Sequence, residues 1–395
     1  MRTVAQSAAS SWDESVRLLC SLPGFSEWER VEAVAELVRS TSPAIRRRAL
    51  RLGADVLPDD LLVSWLREGA DDVVRNAGLE ILKLRGGRAF SLVRQLAFDT
   101  DSDVALQAAL LIDHYRDPRG VAALKTLLDH GDTNVVQAAI VGLGHHHDPS
   151  VVRNLARFLD ADVWLQIAAI QALGDIGDPS ALPLLEPLLA DEFLETFASE
   201  AIAHIGSADS FRTLAAHWRP REASVDGERY LSLLASVMVQ LPERFFLDRE
   251  LEASVVRQLN EPGASLRAAA ATLLLASGSI SHERASLEVL AQSADASSQL
   301  PACLSQRSDL TSLLLERFGV QREWGLQLAA RYPGSAAARE VADAVLRGEV
   351  PEHLAEACSA LAQSSSDAAA SAVIAIFGRV EPDRRCVVHP AIARH

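Results

Sequence analysis

Three consecutive histidines, His145, His146 and His147, are the residues of this sequence best suited to chemistry. They lie in the stretch GLGHHHDPS, from Gly142 to Ser150. Imidazole is the commonest metal ligand in proteins and changes its charge close to neutral pH. The sequence therefore raises the question of whether these side chains form a metal or catalytic site or only end a helix.

The same nine positions recur as ALGDIGDPS, from Ala172 to Ser180, so the histidines belong to a repeating unit. Three Asp-Pro pairs mark the register of the unit at Asp117, Asp148 and Asp178, with spacings of 31 and 30 residues. One position per unit forms a polar column along the array: Lys83, His114, His145, Asp175 and His204.

Neighbours in this column could lie close together, because packed helices are about 8–10 Å apart. A cluster of His145, Asp175 and His204 would hold a metal ion or titrate near neutral pH. The simpler interpretation is a row of exposed polar residues at helix ends, because a metal needs three or four ligands at about 2 Å. We therefore predict no metal and no cofactor. The cluster is kept as the alternative, as part of an enzyme centred on His114, His145, His146 and His204.

The other two histidines have apolar or glycine counterparts in the next unit. His146 aligns with Ile176 and should point partly inward. His147 aligns with Gly177, at the left-handed position that ends a helix, and histidine tolerates this conformation better than bulky residues do. A histidine near a helix C-terminus also suits the helix dipole.

Each unit has the pattern of two helices joined by a turn. A polar residue that can cap comes first, as at Asp72, Asp103 or Asn134. An Ala-rich helix follows, with apolar residues spaced so that one face is buried. A turn such as RDPR or GDPS and a second apolar helix close the unit. Small residues that would let neighbouring helices approach recur at one place: Ala77, Ala108, Ala139 and Ala169.

The chain is long but poor in aromatic residues, with 395 residues of which 49% are hydrophobic and 5% aromatic. This composition favours helices over a large β-sheet. Each helix pair leaves an apolar face that only its neighbours cover. The sequence therefore predicts an all-α fold, a right-handed α-solenoid of about ten stacked antiparallel helix pairs.

The repeat pattern changes along the chain and predicts five segments. They are N-terminal capping helices at 1–41, regular repeats at 42–218, a polar loop or hinge at 219–229, degenerate repeats at 230–379 and an irregular tail at 380–395.

The stretches VVQAAIVGLGHHHDPSVVRNLARFL and IAAIQALGDIGDPSALPLLEPLL resemble HEAT repeats. They are similar to the short HEAT-like kind named after phycobilisome lyases, with units shorter than the usual length of about 40–47 residues. The resemblance is strongest from Ser42 to Trp218. It implies a solenoid whose second helices line a concave surface, and protein binding as the main function, because most members are scaffolds or adaptors.

The same resemblance brings in two classes of enzyme as alternatives. Bilin lyases share the repeat, but no motif here marks bilin chemistry. Deoxyhypusine hydroxylase carries His-Glu pairs in several repeats, whereas this chain has only His282-Glu283. Neither GxSxG, HExxH nor a phosphate-binding glycine loop is present in the sequence.

The net charge indicates the class of partner, and the cysteine content indicates the compartment. The formal net charge of −15 favours another protein with a basic or mixed-charge surface. Nucleic acid is disfavoured because phosphate binding relies on Lys and Arg. The one basic cluster, around Arg46, fits a solvated helix face. No stretch approaches 18 apolar residues, so no membrane span is expected. Four widely separated cysteines fit a cytoplasmic chain.

We therefore predict a non-catalytic scaffold or adaptor of bacterial type that recognises a protein on its concave surface. The candidate contacts are polar or aromatic residues of the inner, second helices: Arg75, Asn76, Gln107, Gln137, Trp164 and Gln166. One rim of this surface would be formed by the histidine column, with His114, His145 and His204. Trp164 is expected to be exposed, near a helix start beside Asp162.

Overall fold

A computed structural model gives the fold of the chain. It describes residues 12–67, 72–219, 225–241, 245–277 and 279–282, a helix at 367–379 and a few separate residues between 285 and 361. All regular structure in these residues is helical, which confirms the all-α class. The predicted tail at 380–395 lies outside the described residues. The number of helix pairs and the handedness of the array remain predictions.

The chain forms two compact units, Met1–Ala201 and Ile202–His395. The first unit contains short helices in alternation with long ones. Its helices are α1 (Trp12–Ser21), α2 (Glu27–Leu37), α3 (Pro43–Val56), α4 (Asp59–Arg67), α5 (Asp72–Arg85), α6 (Phe90–Leu96), α7 (Ser102–Tyr115), α8 (Gly120–Leu127), α9 (Thr133–His145), α10 (Val152–Ala156), α11 (Val163–Ile176), α12 (Leu182–Leu185) and the first part of α13 (Glu195–Ile205).

The long helices stack on one another. Helix α3 packs on α5, α5 on α7, α7 on α9, and α9 on α11. Four of the short helices pack against the long helix that follows: α4 on α5, α6 on α7, α8 on α9 and α10 on α11. Short 3-10 turns at Pro149–Val151 and Pro179–Ala181 lead into α10 and α12. The first unit is therefore an α-solenoid, as predicted.

The helix caps lie earlier in the chain than predicted. Asp101, Asp132 and Asp162 precede α7, α9 and α11, and their side chains accept hydrogen bonds from backbone N–H groups. The donors include Asp103 and Asn134, with N–O distances of 2.9 and 2.8 Å. Two of the three residues predicted as caps, Asp103 and Asn134, are thus the donors, because a capping side chain bonds the N–H two or three residues ahead.

Close packing of the long helices depends on small residues. The four recurrent alanines are buried, as predicted: Ala77, Ala108, Ala139 and Ala169. Two glycines that the sequence analysis did not single out allow a still closer approach. A Cβ added at Gly144 or at Gly174 would lie 2.7 Å from the Cα of Ala172 or Ala201, respectively. The helix backbones are therefore in direct contact at these points.

The second unit is also helical where it is described. It contains the end of α13, α14 (Ala208–Trp218), α15 (Val225–Gln240), α16 (Arg249–Gln258), α17 (Ala264–Ser277), a 3-10 turn at Ile280–His282 and the helix Asp367–Arg379. Helix α15 packs on α14 and α17, and α16 packs on α17. The side chains of Phe211, Trp218 and Tyr230 are buried in this unit.

Helix α15 begins at Val225, inside the segment 219–229 predicted as a polar loop or hinge. That segment is therefore not a loop throughout. The acidic residue Glu228 falls in the first turn of the helix, where negative charge suits the helix dipole. The described helices include none that is both long and apolar enough to cross a membrane.

Candidate protein-interaction surface

The predicted contacts lie on four successive long helices: Arg75 and Asn76 on α5, Gln107 on α7, Gln137 on α9, and Trp164 and Gln166 on α11. When each pair is counted from the capping residue, as in the sequence repeat, these long helices are the first helices of the pairs. The prediction that the contacts lie on second helices is therefore wrong with that numbering. A repeat array has no fixed starting point, and each long helix closes a pair when the pair is counted from the short helix.

Each long helix has a stripe of residues at least partly accessible to solvent, at positions three or four residues apart, and α5 has a second exposed row beside it. Because these helices stack in register, the four stripes form a single surface, which we call the long-helix face. Its members are Asp72, Arg75, Leu79 and Lys83 on α5; Asp103, Leu106, Leu110 and His114 on α7; Asn134, Gln137, Val141 and His145 on α9; and Trp164, Ile167, Gln171 and Asp175 on α11.

The long-helix face includes five of the predicted contact residues: Arg75, His114, Gln137, His145 and Trp164. Asn76 is exposed and Gln107 is half-buried, one position to the side of the face; the equivalent Ala138 and Ala168 are buried in the next helices. Gln166 is turned away, because its Nε2 donates to the backbone oxygen of Leu159 at 2.6 Å. His204 is exposed in the last turn of α13, in the second unit.

Most of the middle positions of the long-helix face are apolar, and Arg75, Gln137 and Gln171 are the polar ones. Leu79, Leu110 and Val141 occupy the same position on α5, α7 and α9, with Leu106 and Ile167 one turn earlier on their own helices. Leu110 is 46% exposed. An apolar centre bounded by polar residues is the usual composition of a protein-binding surface.

Two aromatic side chains stand at one end of this face. Trp164 is 68% exposed, as the sequence analysis expected, and Phe193 is 58% exposed. Phe193 occupies the position in its unit that Trp164 occupies in the preceding unit, and its ring lies 6.0 Å from that of Phe197. Phe193 was not among the predicted contacts, although its alignment with Trp164 was the signal for it.

The other tryptophans divide into three groups. Trp65 and Trp218 are buried, and Trp28 on α2 is 70% exposed. The side chains of Trp12 and Trp324 lie outside the described residues. Trp28 therefore provides an exposed tryptophan that lies outside the long-helix face.

Acidic side chains lie at the N-terminal ends of the long helices. Asp101, Asp132, Asp162 and Asp191 all accept backbone N–H groups. None of these four carboxylates pairs with a Lys or Arg in the part of the chain that the structure describes. The C-terminal ends of α5, α7 and α9 carry Lys83, His114, Arg116 and His145 instead, whereas α11 has Asp175 in its last turn. This distribution complements the aligned helix dipoles and leaves one acidic edge.

His145 pairs with an aspartate of the preceding unit. Its Nδ1 lies 3.1 Å from both carboxylate oxygens of Asp113, which Arg116 also approaches at 3.6 Å. Asp113 directly precedes His114, the residue that the column alignment placed next to His145. A carboxylate that orients an imidazole is part of a general-base arrangement. In the described residues, no hydroxyl or thiol is bonded to His145 that would complete such an arrangement.

His147 adopts the predicted left-handed conformation, with φ of 51°. Its Nδ1 donates to the backbone oxygen of Asp175 at 2.5 Å. Arg116, which is at the equivalent position and also has φ of 51°, donates to the backbone oxygen of His145 at 2.6 Å. Each side chain thus satisfies a carbonyl at the C-terminal end of the next long helix, where carbonyls lack partners within the helix. The histidine run has a structural role here.

The described residues contain no group of three or more His, Cys, Asp or Glu side chains that could hold a metal ion. No such group therefore includes His145, Asp175 or His204, the alternative metal set. The structure brings His145 to Asp113 instead.

His146 is half-buried, as predicted, and its Nε2 is buried without a hydrogen-bond partner. Burial lowers the pKa of His146 from its ordinary value of 6.5, and Arg116 and His145 act in the same direction. Asp113 and Asp117 oppose this shift. Because the pKa of His146 is lower in the folded chain, the unfolded chain binds the proton first, and stability is lost as the pH falls below 6.5.

We expect His146→Ile to stabilise the chain, since Ile176 and Ile205 occupy the equivalent positions. The gain should be about 1 kcal/mol at pH 8, because an unpaired buried nitrogen is removed, and larger at pH 5. Urea denaturation at both pH values measures it, with His114→Ile at an exposed position as control. A gain that shrinks at pH 5 would contradict this account of His146.

Comparison with known proteins identifies the repeat. A family model described as HEAT repeats matches residues 59–141 and again residues 123–206. Among curated proteins, no significant sequence match is found.

Several solved structures are similar to the chain at low identity. An engineered protein is 18% identical, with 94% of this chain and 98% of that chain covered and a TM-score of 0.36. Human deoxyhypusine hydroxylase in complex with glycerol is 17% identical, with coverages of 64% and 93% and a TM-score of 0.29. A Kap95p structure with RanGDP is 11% identical, with coverages of 98% and 68% and a TM-score of 0.49. All three TM-scores are below 0.5.

The matched segment contains the long helices α5, α7, α9 and α11 and their short partners. It therefore contains the whole long-helix face. The phycobilisome-lyase type of repeat stays a prediction. Residues 59–206 of the chain are HEAT repeats.

Proposed function

We propose that the chain is a non-catalytic scaffold or adaptor that binds another protein on its long-helix face. The observation that carries this proposal is the apolar row of Leu79, Leu110 and Val141, which remains accessible between two polar edges. Folding normally buries such residues, and a partner would cover them. HEAT repeats that interact with proteins present extended surfaces of this kind.

The size of the face favours a protein over a small molecule. Four helices at about 8–10 Å spacing give a surface about 30 Å long. A stable protein interface needs about 800 Å² on each partner, which a surface of that length supplies.

The partner is proposed to have a basic or mixed-charge surface, and the compartment is proposed to be the cytoplasm. The unpaired carboxylates at the N-terminal edge support the first point. The free thiols of Cys20 and Cys358 support the second, since cytoplasmic cysteines stay reduced. Burial raises the pKa of Cys358 to about 11, so this thiol is suited to packing and not to nucleophilic chemistry.

Trp164→Ala is the substitution that tests the proposal. An exposed tryptophan at the end of an interface is a typical anchor, and its truncation should weaken partner binding at least about tenfold. A partner captured from a lysate would be purified and its Kd measured by isothermal titration calorimetry.

Trp28→Ala is the matched control, because Trp28 is equally exposed but lies outside the long-helix face. Both variants should keep the circular dichroism spectrum of the parent chain. An unchanged Kd for Trp164→Ala, or an equal loss for Trp28→Ala, would contradict binding at this end of the face.

A further inference from the structure

We propose that the end of the long-helix face around Trp164 and Phe193 binds an arginine-rich segment of the partner. The proposal rests on the proposed protein-binding function and specifies the chemistry of the bound segment. We call this region the aromatic end; it consists of Asp160, Asp162, Trp164, Asp191, Glu192 and Phe193.

The exposed rings of the aromatic end are suited to stacking with cations. Tryptophan is the best aromatic partner for a guanidinium group, and phenylalanine also serves. The same solenoid already stacks arginine on aromatic rings, with Arg119 over Phe90 at 4.4 Å and Arg157 over Phe158 at 4.8 Å. In the described part of the chain, no Lys or Arg is stacked on Trp164 or Phe193. Both rings are therefore available.

The carboxylates beside these rings are also available. Asp160, Asp162, Asp191 and Glu192 are all exposed. Asp162 and Asp191 accept backbone N–H groups of their own helix starts. Within the described residues, none of the four carboxylates has a cationic partner. The aromatic end thus combines two apolar rings with four negative charges that lack counter-charges.

This combination selects among possible partners. Negative charge repels nucleic acid and acidic peptides. It attracts both lysine and arginine, but the rings favour arginine, whose planar guanidinium stacks on aromatic faces and pairs with carboxylates through two hydrogen bonds.

The repeat also sets the spacing of the cations. Trp164 and Phe193 occupy equivalent positions in successive units, which are about 10 Å apart. In the polyproline II conformation three residues make one turn and span about 9 Å, so the side chains of residues i and i+3 lie on the same face. An extended segment with arginine at every third residue would therefore place one guanidinium on each ring.

The test uses a fluorescein-labelled peptide of four Arg-Ser-Gly repeats and fluorescence anisotropy with the full chain. The expected result is saturable binding that weakens as salt is raised, because the contacts include exposed ion pairs. Trp164→Ala and Phe193→Ala should each raise Kd at least about fivefold. Asp160→Asn/Glu192→Gln, which removes charge without removing a helix cap, should raise Kd about threefold or more and reduce the salt dependence.

Matched controls separate this site from general attraction to an acidic chain. Trp28→Ala removes an equally exposed tryptophan, and Glu32→Gln/Asp60→Asn removes two exposed charges outside the aromatic end. Both controls should bind the peptide as the parent does. The same peptide with Glu in place of Arg should not bind.

The inference is overturned if the parent chain does not bind the arginine peptide, or if the control variants weaken binding as much as the aromatic-end variants. Either result can occur while Trp164→Ala still weakens a captured protein partner. In that case the proposed scaffold function stands and only the arginine specificity is lost. If Trp164→Ala also leaves the captured partner's Kd unchanged, the proposed function fails separately.

Discussion

Replacing Gly144 with alanine is expected to lower the free energy of unfolding by about 2–3 kcal/mol. Gly144 lies on α9 and faces α11. An added Cβ would lie 2.7 Å from the Cα and 2.9 Å from the Cβ of Ala172. The obstacle includes backbone, which cannot rotate away as a flexible side chain would. The two helices would have to move apart, with loss of packing along their whole contact.

Helix propensity alone predicts that the substitution stabilises the chain, so the experiment distinguishes propensity from the close helix contact. Alanine is more favourable than glycine within a helix by about 1 kcal/mol. Gly78→Ala is the matched control, because Gly78 is also buried in a long helix, but its added Cβ would lie 3.6 Å from the Cβ of Trp65, an ordinary contact. We expect Gly78→Ala to be neutral or stabilising in urea denaturation. A Gly144→Ala chain as stable as the Gly78→Ala chain would show that the close approach is not needed.

The close approach at Gly144 also connects stability with the proposed function. Gly174 makes the same contact with Ala201 as Gly144 makes with Ala172. These contacts set the separation of the long helices, and that separation sets the spacing of the stripes on the long-helix face. An extended partner that contacts several stripes at once would be sensitive to this spacing.

Periodicity and alignment were sufficient to predict the helix pairs, the buried alanines and the left-handed His147. These features depend on local sequence and on the equivalence of positions between units. The exposed Phe193 could also have been predicted, because it aligns with Trp164. The exposed face is a third consequence of the same periodicity, since its residues are three or four positions apart.

Contacts between units were not predictable in the same way. The column alignment placed His145 beside His114, whereas His145 bonds Asp113, one residue earlier. Alignment shows which positions are equivalent, but the tilt and shift between packed helices decide which side chains touch. The metal alternative depended on such contacts. The caps were misplaced for a related reason, since a side chain caps an N–H group two or three residues ahead of it.

Arg85 is the residue for which we expect the second large effect. Its side chain is only 10% exposed and extends from α5 back to the preceding pair. Its Nε donates to the backbone oxygen of Ala54 at 3.0 Å, its Nη1 bonds Asp59 at 2.6 Å, and its Nη2 donates to the backbone oxygen of Leu57. One guanidinium thus connects the end of α3, the start of α4 and the end of α5.

Arg85→Met should therefore lower the free energy of unfolding by about 2–4 kcal/mol, because it leaves carbonyl groups at the end of α3 without their charged donor. Arg85→Lys should recover little, since a single ammonium group cannot reproduce the planar fork. Arg88→Met is the control: Arg88 pairs with Asp55 across the same two helix pairs, but both side chains are 67% exposed. Exposed pairs contribute little, so its urea midpoint should match that of the parent. Equal midpoints for the Arg85 and Arg88 variants would mean that burial of Arg85 does not strengthen its bonds, and that packing alone connects the two pairs.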